Sequence, residues 1–156
     1  MTAETLAAET EPSSTEYSTI WVAYVLAATG SLGFVIGPLV ALIINYARRD
    51  VADTGYIATH HRWLIRTFWW SLGLYLLCLA VILAGAWPII ADLVGGVIAS
   101  GGNAGEFSIG FDWDSLFATV GAAMAGGVGI LCVWVWNIYR LLRGAYLLGD
   151  RSPAPR

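Results

Sequence analysis

The sequence predicts an all-α integral membrane protein with three transmembrane helices and a short interfacial or re-entrant helix between the second and the third. Its 156 residues are 58% hydrophobic and only 12% charged, whereas soluble domains carry about 25% charged residues. The mean hydropathy is +0.68. The chain also holds three uncharged stretches that exceed the roughly 20 helical residues needed to cross a bilayer. These observations predict a single membrane domain over residues 20–148.

The first predicted span covers residues 20–46. Gly37 and Pro38 lie inside it, and because a proline inside a helix removes one backbone hydrogen bond, we expect a kink there. The preceding residues 1–19 contain no basic residue, and their acids are Glu4, Glu9, Glu11 and Glu16. Signal peptides begin with positive charge. We therefore expect an uncleaved anchor that follows a disordered, acidic N-terminal tail.

The second predicted span, residues 66–87, is the most apolar of the three and is expected to insert without help from a neighbour. Residues 88–99 are also apolar, but the segment is short and contains Asp92. These features favour an interfacial or re-entrant helix, and a fourth span remains the alternative. A glycine-rich loop is expected over residues 101–105.

The third predicted span covers residues 115–139, with Asp112 or Asp114 as its N-terminal cap. Several glycines dilute the apolar content of this span, so we expect it to depend on packing against another helix. The last residues, 149–156, are expected to form a short C-terminal tail.

The arginine positions predict the orientation, because basic residues concentrate in cytoplasmic loops. All eight Lys or Arg residues of the chain are arginines, and they follow the first span or the third: Arg48, Arg49, Arg62, Arg66, Arg140, Arg143, Arg151 and Arg156. Three spans place both segments on one side. We therefore expect a multi-pass protein of the bacterial inner (plasma) membrane, with its N-terminus outside and its C-terminus cytoplasmic.

The candidate contact surface is the basic and aromatic run His60–Trp70, where the predicted cytoplasmic loop enters the second span. On a helix, Arg62 and Arg66 share one face, where they could hold a phosphate or carboxylate group. Arginines that extend to the interface beside tryptophans would give the same pattern. The residues predicted to contact a lipid head group or a partner are Arg48, Arg49, His60, Arg62, Arg66, Arg140 and Arg143.

Small residues at intervals of four predict close helix packing, because they let two backbones approach each other in lipid. The residues concerned are Gly33 and Gly37 in the first span and Gly121, Ala125 and Gly129 in the third, with Ala118, Ala122 and Gly126 on a second face. These faces would pack the first helix on the third or build a homo-oligomer, and both interpretations remain open.

The sequence predicts no enzyme and no catalytic, cofactor or metal site. It lacks the Gly-x-Ser-x-Gly, His-Glu-x-x-His and P-loop motifs. Its two histidines, His60 and His61, are adjacent, so on a helix they point about 100° apart and cannot chelate one ion. Cys78 and Cys132 are expected to be apolar fillers in different spans. The net charge of −3 argues against nucleic acid as a partner.

Three segments carry a resemblance to a known family: Ile43–Arg49, His60–Trp70, and Val133–Arg140 with Gly144 close behind. In order and spacing they resemble a family of small bacterial inner-membrane proteins of unknown function. That family is distantly similar to the Tic-type component of the chloroplast inner-envelope protein translocon. The resemblance implies a membrane protein but no particular activity, and residues 88–114 depart from the short linker expected there.

The sequence therefore favours a non-enzymatic membrane protein that acts as a scaffold, an assembly factor or a partner subunit. Its expected partners are the lipid bilayer and either another membrane protein or a second copy of the chain. An oligomeric pore or transport component is one alternative, prompted by the translocon resemblance and the interrupted first span. An anionic-lipid-binding protein that uses Arg62 and Arg66 is another.

Overall fold

A computed structural model describes residues 13–48, 55–99, 101 and 112–155, and the regular secondary structure in these residues is helical. The elements are α1 (Ser14–Thr29), a 3-10 turn (Gly30–Leu32), α2 (Ile36–Arg48), α3 (Tyr56–Ala99) and α4 (Trp113–Gly149). The expectations for most of the acidic tail, for Arg49 and for residues 102–111 lie outside the described residues.

The first predicted span is two helices rather than one. Helix α1 begins at the N-cap Ser13, whose hydroxyl oxygen accepts a hydrogen bond from the Glu16 backbone N–H at 3.2 Å. The 3-10 turn ends at Gly33, whose φ of 89° is a left-handed conformation that glycine adopts without strain. Pro38 lies in the first turn of α2, where its missing N–H has no intrahelical partner to lose. The prediction of one span kinked at Gly37 and Pro38 is therefore wrong, because the chain breaks earlier, around Gly33.

Helices α1 and α2 fold back on each other. Tyr24 of α1 and Asn45 of α2 form hydrogen bonds with the neighbouring residues His60 and His61. In one continuous helix Tyr24 and Asn45 would be about 31 Å apart, at 1.5 Å per residue. The two helices contain 16 and 13 residues, so their lengths of about 24 and 20 Å are each shorter than a hydrocarbon core of about 30 Å.

Helix α3 is 44 residues long and continues through Pro88. It begins at Tyr56, so the whole run His60–Trp70 lies on a helix rather than at the entrance from a loop. Residues 88–99 continue α3, and the predictions of a separate interfacial or re-entrant helix, or of a fourth span, are both wrong for this segment. Pro88 removes one intrahelical hydrogen bond without ending the helix.

Helix α4 contains the predicted span 115–139 and extends beyond it to Gly149. Asp112 is the cap: its Oδ2 accepts hydrogen bonds from the Ser115 N–H at 3.1 Å and from the Ser115 hydroxyl at 2.9 Å. These bonds, together with one from the Asp114 N–H, hold the pKa of Asp112 below its usual value. The two alternatives for the cap are thereby decided in favour of Asp112.

Within the described residues, α3 and α4 are long and apolar enough to cross a membrane by length and composition, whereas α2 is a shorter apolar helix. The predicted count of three spans is therefore corrected to two candidate spans. In α3, no residue of the most apolar 18-residue stretch is buried inside the protein. In α4, 11% of the corresponding stretch is buried. Their side chains are thus available to an apolar environment along most of their length.

The chain divides into two compact units. The first unit contains the chain up to Leu72 and the chain from Trp134 onward, and the second contains Gly73–Val133. The first unit has an apolar core formed by Ile20, Ala23, Tyr24, Ile57, Leu64, Leu141 and Leu148. In the second unit α3 packs closely on α4. At Gly126, an added Cβ would lie 2.8 Å from Ile82 Cδ1 and 2.9 Å from the Cys78 carbonyl oxygen, so only a glycine fits there without a shift of its neighbours.

Candidate functional site

The first unit buries several polar side chains. Asn45, His60, His61 and Thr67 have relative exposures of 1%, 0%, 2% and 2%. Burying a polar group without a hydrogen-bond partner costs free energy, so the partners of these side chains define how the helices of this unit are held.

His60 connects α1, α3 and the chain after α4. Its Nε2 lies 3.0 Å from the Ser152 carbonyl oxygen, and its Nδ1 lies 2.8 Å from the Tyr24 hydroxyl. A carbonyl oxygen only accepts, so Nε2 carries the hydrogen and Nδ1 accepts the Tyr24 O–H. Burial lowers the pKa of His60, and the bond to Ser152 raises it by a smaller amount. The ring is therefore neutral and bonded at both nitrogens.

His61 has a different partner, on α2. The side-chain amide of Asn45 donates from Nδ2 to the Ala41 carbonyl oxygen at 2.7 Å. This bond turns Oδ1 toward His61, whose Nδ1–H donates to it at 2.6 Å. Burial, followed by the nearby His60 and Arg48, lowers the pKa of His61 to about 4. The two adjacent histidines thus hold different helices of the first unit.

The chain after α4 folds against α3. Arg151 has a φ of 51°, which reverses the chain, and the five residues Arg151–Pro155 are here called the C-terminal strap. The Ala154 N–H donates to the Thr59 hydroxyl oxygen at 2.8 Å, and the Pro155 carbonyl oxygen accepts from the Arg66 guanidinium at 3.3 Å. Together with the bond from His60 to Ser152, these contacts attach the strap to the first three turns of α3.

An arginine–tryptophan cluster, made of Trp63, Arg66, Trp136, Arg140 and Arg143, lies in the same unit. The Arg140 guanidinium carbon lies 3.8 Å from the Trp63 ring centroid and 4.9 Å from that of Trp136, and that of Arg66 lies 5.4 Å from the Trp63 centroid. Cations over aromatic rings are attracted by the ring quadrupole. Trp63 is only 6% exposed, so it forms a fixed platform for both arginines.

Hydrogen bonds fix the Trp63 platform, and one glycine leaves room for it. Arg140 Nε donates to the Thr67 hydroxyl oxygen at 3.0 Å, and the Trp63 indole N–H donates to the Arg140 carbonyl oxygen at 3.4 Å. At Gly144, a Cβ would overlap the Tyr24 hydroxyl and lie 3.0 Å from the Trp63 indole nitrogen. Gly144 is therefore the position at which α1 and α3 both approach α4 closely.

The cluster concentrates positive charge. Burial is the main cause that lowers the pKa of Arg140, and the nearby Arg66 and Arg143 lower it further. The Nη2 atom of Arg140 is buried and has no hydrogen-bond partner among the described residues. A buried donor without a partner costs about 1–3 kcal/mol, and more when it is charged. The site is thus a set of cations with unused hydrogen-bonding capacity.

The structure brings some of the predicted contact residues together and separates others. Arg66 and Arg140 meet on the Trp63 ring. Arg143 is near enough to lower the pKa of Arg140, and its guanidinium donates to the Tyr139 hydroxyl at 3.2 Å. His60 is fully buried and occupied by Tyr24 and Ser152, so it faces the interior rather than a ligand. Arg62 and Arg48 are exposed, Arg48 at the end of α2.

The predicted packing glycines are also distributed differently. Gly33 lies in the turn between α1 and α2, and Gly37 packs against α1, where a Cβ would lie 2.7 Å from the Leu26 carbonyl oxygen. Gly129 packs against α3, because a Cβ there would lie 2.7 Å from Cys78 Sγ. Gly121 and Ala125 are exposed. Besides Gly129, the contact of α4 with α3 uses the face that contains Ala118, Ala122 and Gly126.

Sequence reasoning missed Tyr24, Trp63, Thr67, Ser152 and Gly144 as members of these networks. Trp63 and Tyr24 read as ordinary interfacial aromatics, and Ser152 lies in a segment that reads as a tail. The available signal was the polar, aromatic His60–Trp70 run itself, because polar residues on several faces of one helix indicate several partners.

No protein-family profile, no characterised protein and no solved structure is significantly similar to the chain. The resemblance to a family of small bacterial inner-membrane proteins therefore stays a prediction. In the described part of the chain, no three His, Cys, Asp or Glu side chains are grouped so that they could hold a metal ion. The chemistry of the first unit is that of guanidinium groups, aromatic rings and neutral imidazoles.

Proposed function

We propose that this chain is a multi-pass protein of the bacterial inner membrane that acts as a scaffold, an assembly factor or a partner subunit. The observation that carries the proposal is the apolar surface of the second unit. Leu77 is 61% exposed, Leu83 is 51% exposed and Val128 is 60% exposed. Contiguous exposed apolar surface marks contact with a membrane or with a partner, and helices of this length fit a bilayer.

Partner binding, beyond membrane insertion, is supported by α4. Its contacts with α3 use Ala122, Gly126 and Gly129. Gly121 and Ala125 are exposed, and a Cβ at Gly121 would meet nothing within 4 Å. In lipid such a face allows a second helix to approach. Met124 and Val128, at 67% and 60% exposure, flank these residues.

Met124 offers a sharp test, because it is the only methionine after Met1. Cells that incorporate a diazirine analogue of methionine should, on illumination, link this chain at Met124 to a partner protein or to a second copy. The matched control is Met124→Leu, which keeps an apolar side chain and removes the photoreactive group. If the protein adducts are unchanged in Met124→Leu, or if Met124 links to lipid alone, the partner function is refuted.

The orientation that we propose differs from the one that three spans imply. Helix α1, the start of α3 and the strap belong to the same unit, and His60 bonds to both Tyr24 and Ser152. Two crossings, by α3 and α4, would then place both chain ends in the cytoplasm, together with the arginines. Fusions of alkaline phosphatase to the N-terminus should be inactive and fusions of a fluorescent protein should be bright; the reverse pattern would restore an N-terminus outside.

A further inference from the structure

The arginine–tryptophan cluster is not needed for the proposed scaffold function, and its chemistry is specific enough to suggest a ligand. We infer that Arg66, Arg140 and Arg143 form a binding site for the phosphate group of an anionic phospholipid, with Trp63 and Trp136 as its aromatic wall. The inference concerns a ligand of the first unit and is independent of any partner of the second.

The first argument is charge. Arg66 and Arg143 both act on Arg140 as neighbouring like charges, and no described carboxylate is among the groups that shift its pKa. Like charges at short range repel each other, so an arrangement that gathers three guanidinium groups becomes more favourable when an anion joins them. A phosphate group offers several acceptor oxygens, which arginine can bind in a bidentate manner.

The second argument is positioning. Arg140 is held by its bond from Nε to Thr67 and by the rings of Trp63 and Trp136, while its Nη2 is buried without a partner. An arginine fixed in this way loses little conformational freedom when it binds. The unmet donor is a second sign, separate from charge, that the cluster lacks one acceptor.

The third argument identifies the lipid as the source of the phosphate. Apolar and aromatic side chains of the same unit are exposed next to the arginines in sequence: Trp69 at 52%, Trp70 at 59%, Tyr139 at 57% and Leu142 at 66%. On α3, Trp70 is one helical turn beyond Arg66, and on α4, Tyr139 is next to Arg140. Cations bordered by exposed tryptophan, tyrosine and leucine match the boundary between head groups and acyl chains. A soluble phosphate would gain nothing from this apolar border.

The test compares phosphatidylglycerol bound by the full chain and by arginine variants. Each protein is reconstituted in phosphatidylcholine vesicles with and without phosphatidylglycerol, extracted in mild detergent, and its retained lipid is measured by native mass spectrometry. We expect Arg66→Gln and Arg140→Gln to retain about tenfold less phosphatidylglycerol, which corresponds to about 1.4 kcal/mol. Arg140→Lys should also lose binding, because it keeps the charge but not the forked guanidinium.

Arg62→Gln is the matched control, since Arg62 is exposed on α3, one turn before Arg66, and its loss changes the net charge by the same amount. It should retain phosphatidylglycerol within about twofold of the unmodified chain. Equal losses in Arg62→Gln and Arg66→Gln would show unspecific attraction to a charged surface and would overturn the inference, as would unchanged retention in all variants.

Two further measurements keep the result interpretable. Arg140 is part of the packing of Trp63, so its variants count only if their helical circular dichroism matches that of the unmodified chain; Arg66→Gln changes an exposed side chain and supplies the result if they do not. Excess inorganic phosphate is added in a separate arm. Displacement of phosphatidylglycerol by phosphate alone would overturn the assignment to lipid, and retention in its presence supports it.

Discussion

The hydrogen bond between Tyr24 and His60 tests the folded-back arrangement of α1 and α2. Replacing Tyr24 with Phe removes the hydroxyl and keeps the ring, so the Nδ1 of a fully buried His60 loses its donor. A buried acceptor without a partner costs about 1–3 kcal/mol, so we expect the free energy of unfolding to fall by that amount. Tyr17→Phe is the matched control, since Tyr17 lies on the same helix and makes an edge contact with Trp21; it should change the value by less than about 0.5 kcal/mol.

A double-mutant cycle makes the reasoning refutable. Unfolding in detergent, with an anionic denaturing detergent as the titrant and circular dichroism as the readout, gives values for Tyr24→Phe, His60→Ala and the pair. Residues in direct contact show coupling energies of about 0.5–3 kcal/mol, whereas distant sites add. In a continuous first span the two side chains would lie at opposite ends of the helix bundle. If the two free-energy changes add strictly in the cycle, the folded-back arrangement of α1 and α2 is refuted.

The remaining predictions concern packing and pH. Gly144→Ala should destabilise the first unit by about 1–3 kcal/mol, because its Cβ would overlap the Tyr24 hydroxyl. Gly149→Ala is the control, because Gly149 has open space around it. Equal denaturation midpoints for the two variants would contradict the close approach at Gly144. Gly126→Ala should destabilise the second unit through contact with Ile82 and Cys78, while Gly127→Ala, which faces open space, should be neutral or stabilising; thermal unfolding of both distinguishes them. His61 has a pKa lowered from 6.5 to about 4, so between these pH values the folded chain binds fewer protons than the unfolded chain. The contribution of His61 to the free energy of unfolding should therefore be full above about pH 6.5 and decrease as the pH falls toward about 4. The His61→Gln variant should lose that part of the decrease, measured by unfolding at a series of pH values, and an unchanged pH profile would argue against burial of the ring.

The sequence predicted the helical class and the location of two long apolar helices because both depend on local composition. The Asp112 cap also depends on local chemistry, and Asp112 was one of the two residues that the sequence predicted as the N-terminal cap of α4. The folded-back pair of helices α1 and α2 was missed, because a kinked span and two short helices have the same uncharged composition over residues 20–46. What distinguishes them is the left-handed Gly33 and the partners of Tyr24 and Asn45, and those partners lie 36 and 16 residues away.

The candidate site shows the same limit. The sequence identified arginines at the entrance to α3 and the exit of α4 as contact residues, and these segments do meet. It could not select Arg66 over Arg62, because that choice depends on contacts with Trp63 and Arg140. Arg140 forms a hydrogen bond with Thr67, which lies 73 residues earlier in the chain. It also treated residues 149–156 as a tail, because short Ser-Pro-Ala-Pro segments gain order only from tertiary contacts such as those with Thr59 and His60.

The partners of the two adjacent histidines have a spectroscopic consequence. His60 carries its ring hydrogen on Nε2, because that atom faces a carbonyl oxygen, and His61 carries it on Nδ1, because that atom faces the Asn45 amide oxygen. One chain therefore contains both neutral forms of imidazole side by side. With the ring nitrogens isotopically labelled, nuclear magnetic resonance at neutral pH should show two opposite patterns of protonated and unprotonated nitrogen, one for each residue. The histidines thus become two internal reporters, one reading the contact of α3 with α1 and the strap, the other reading its contact with α2.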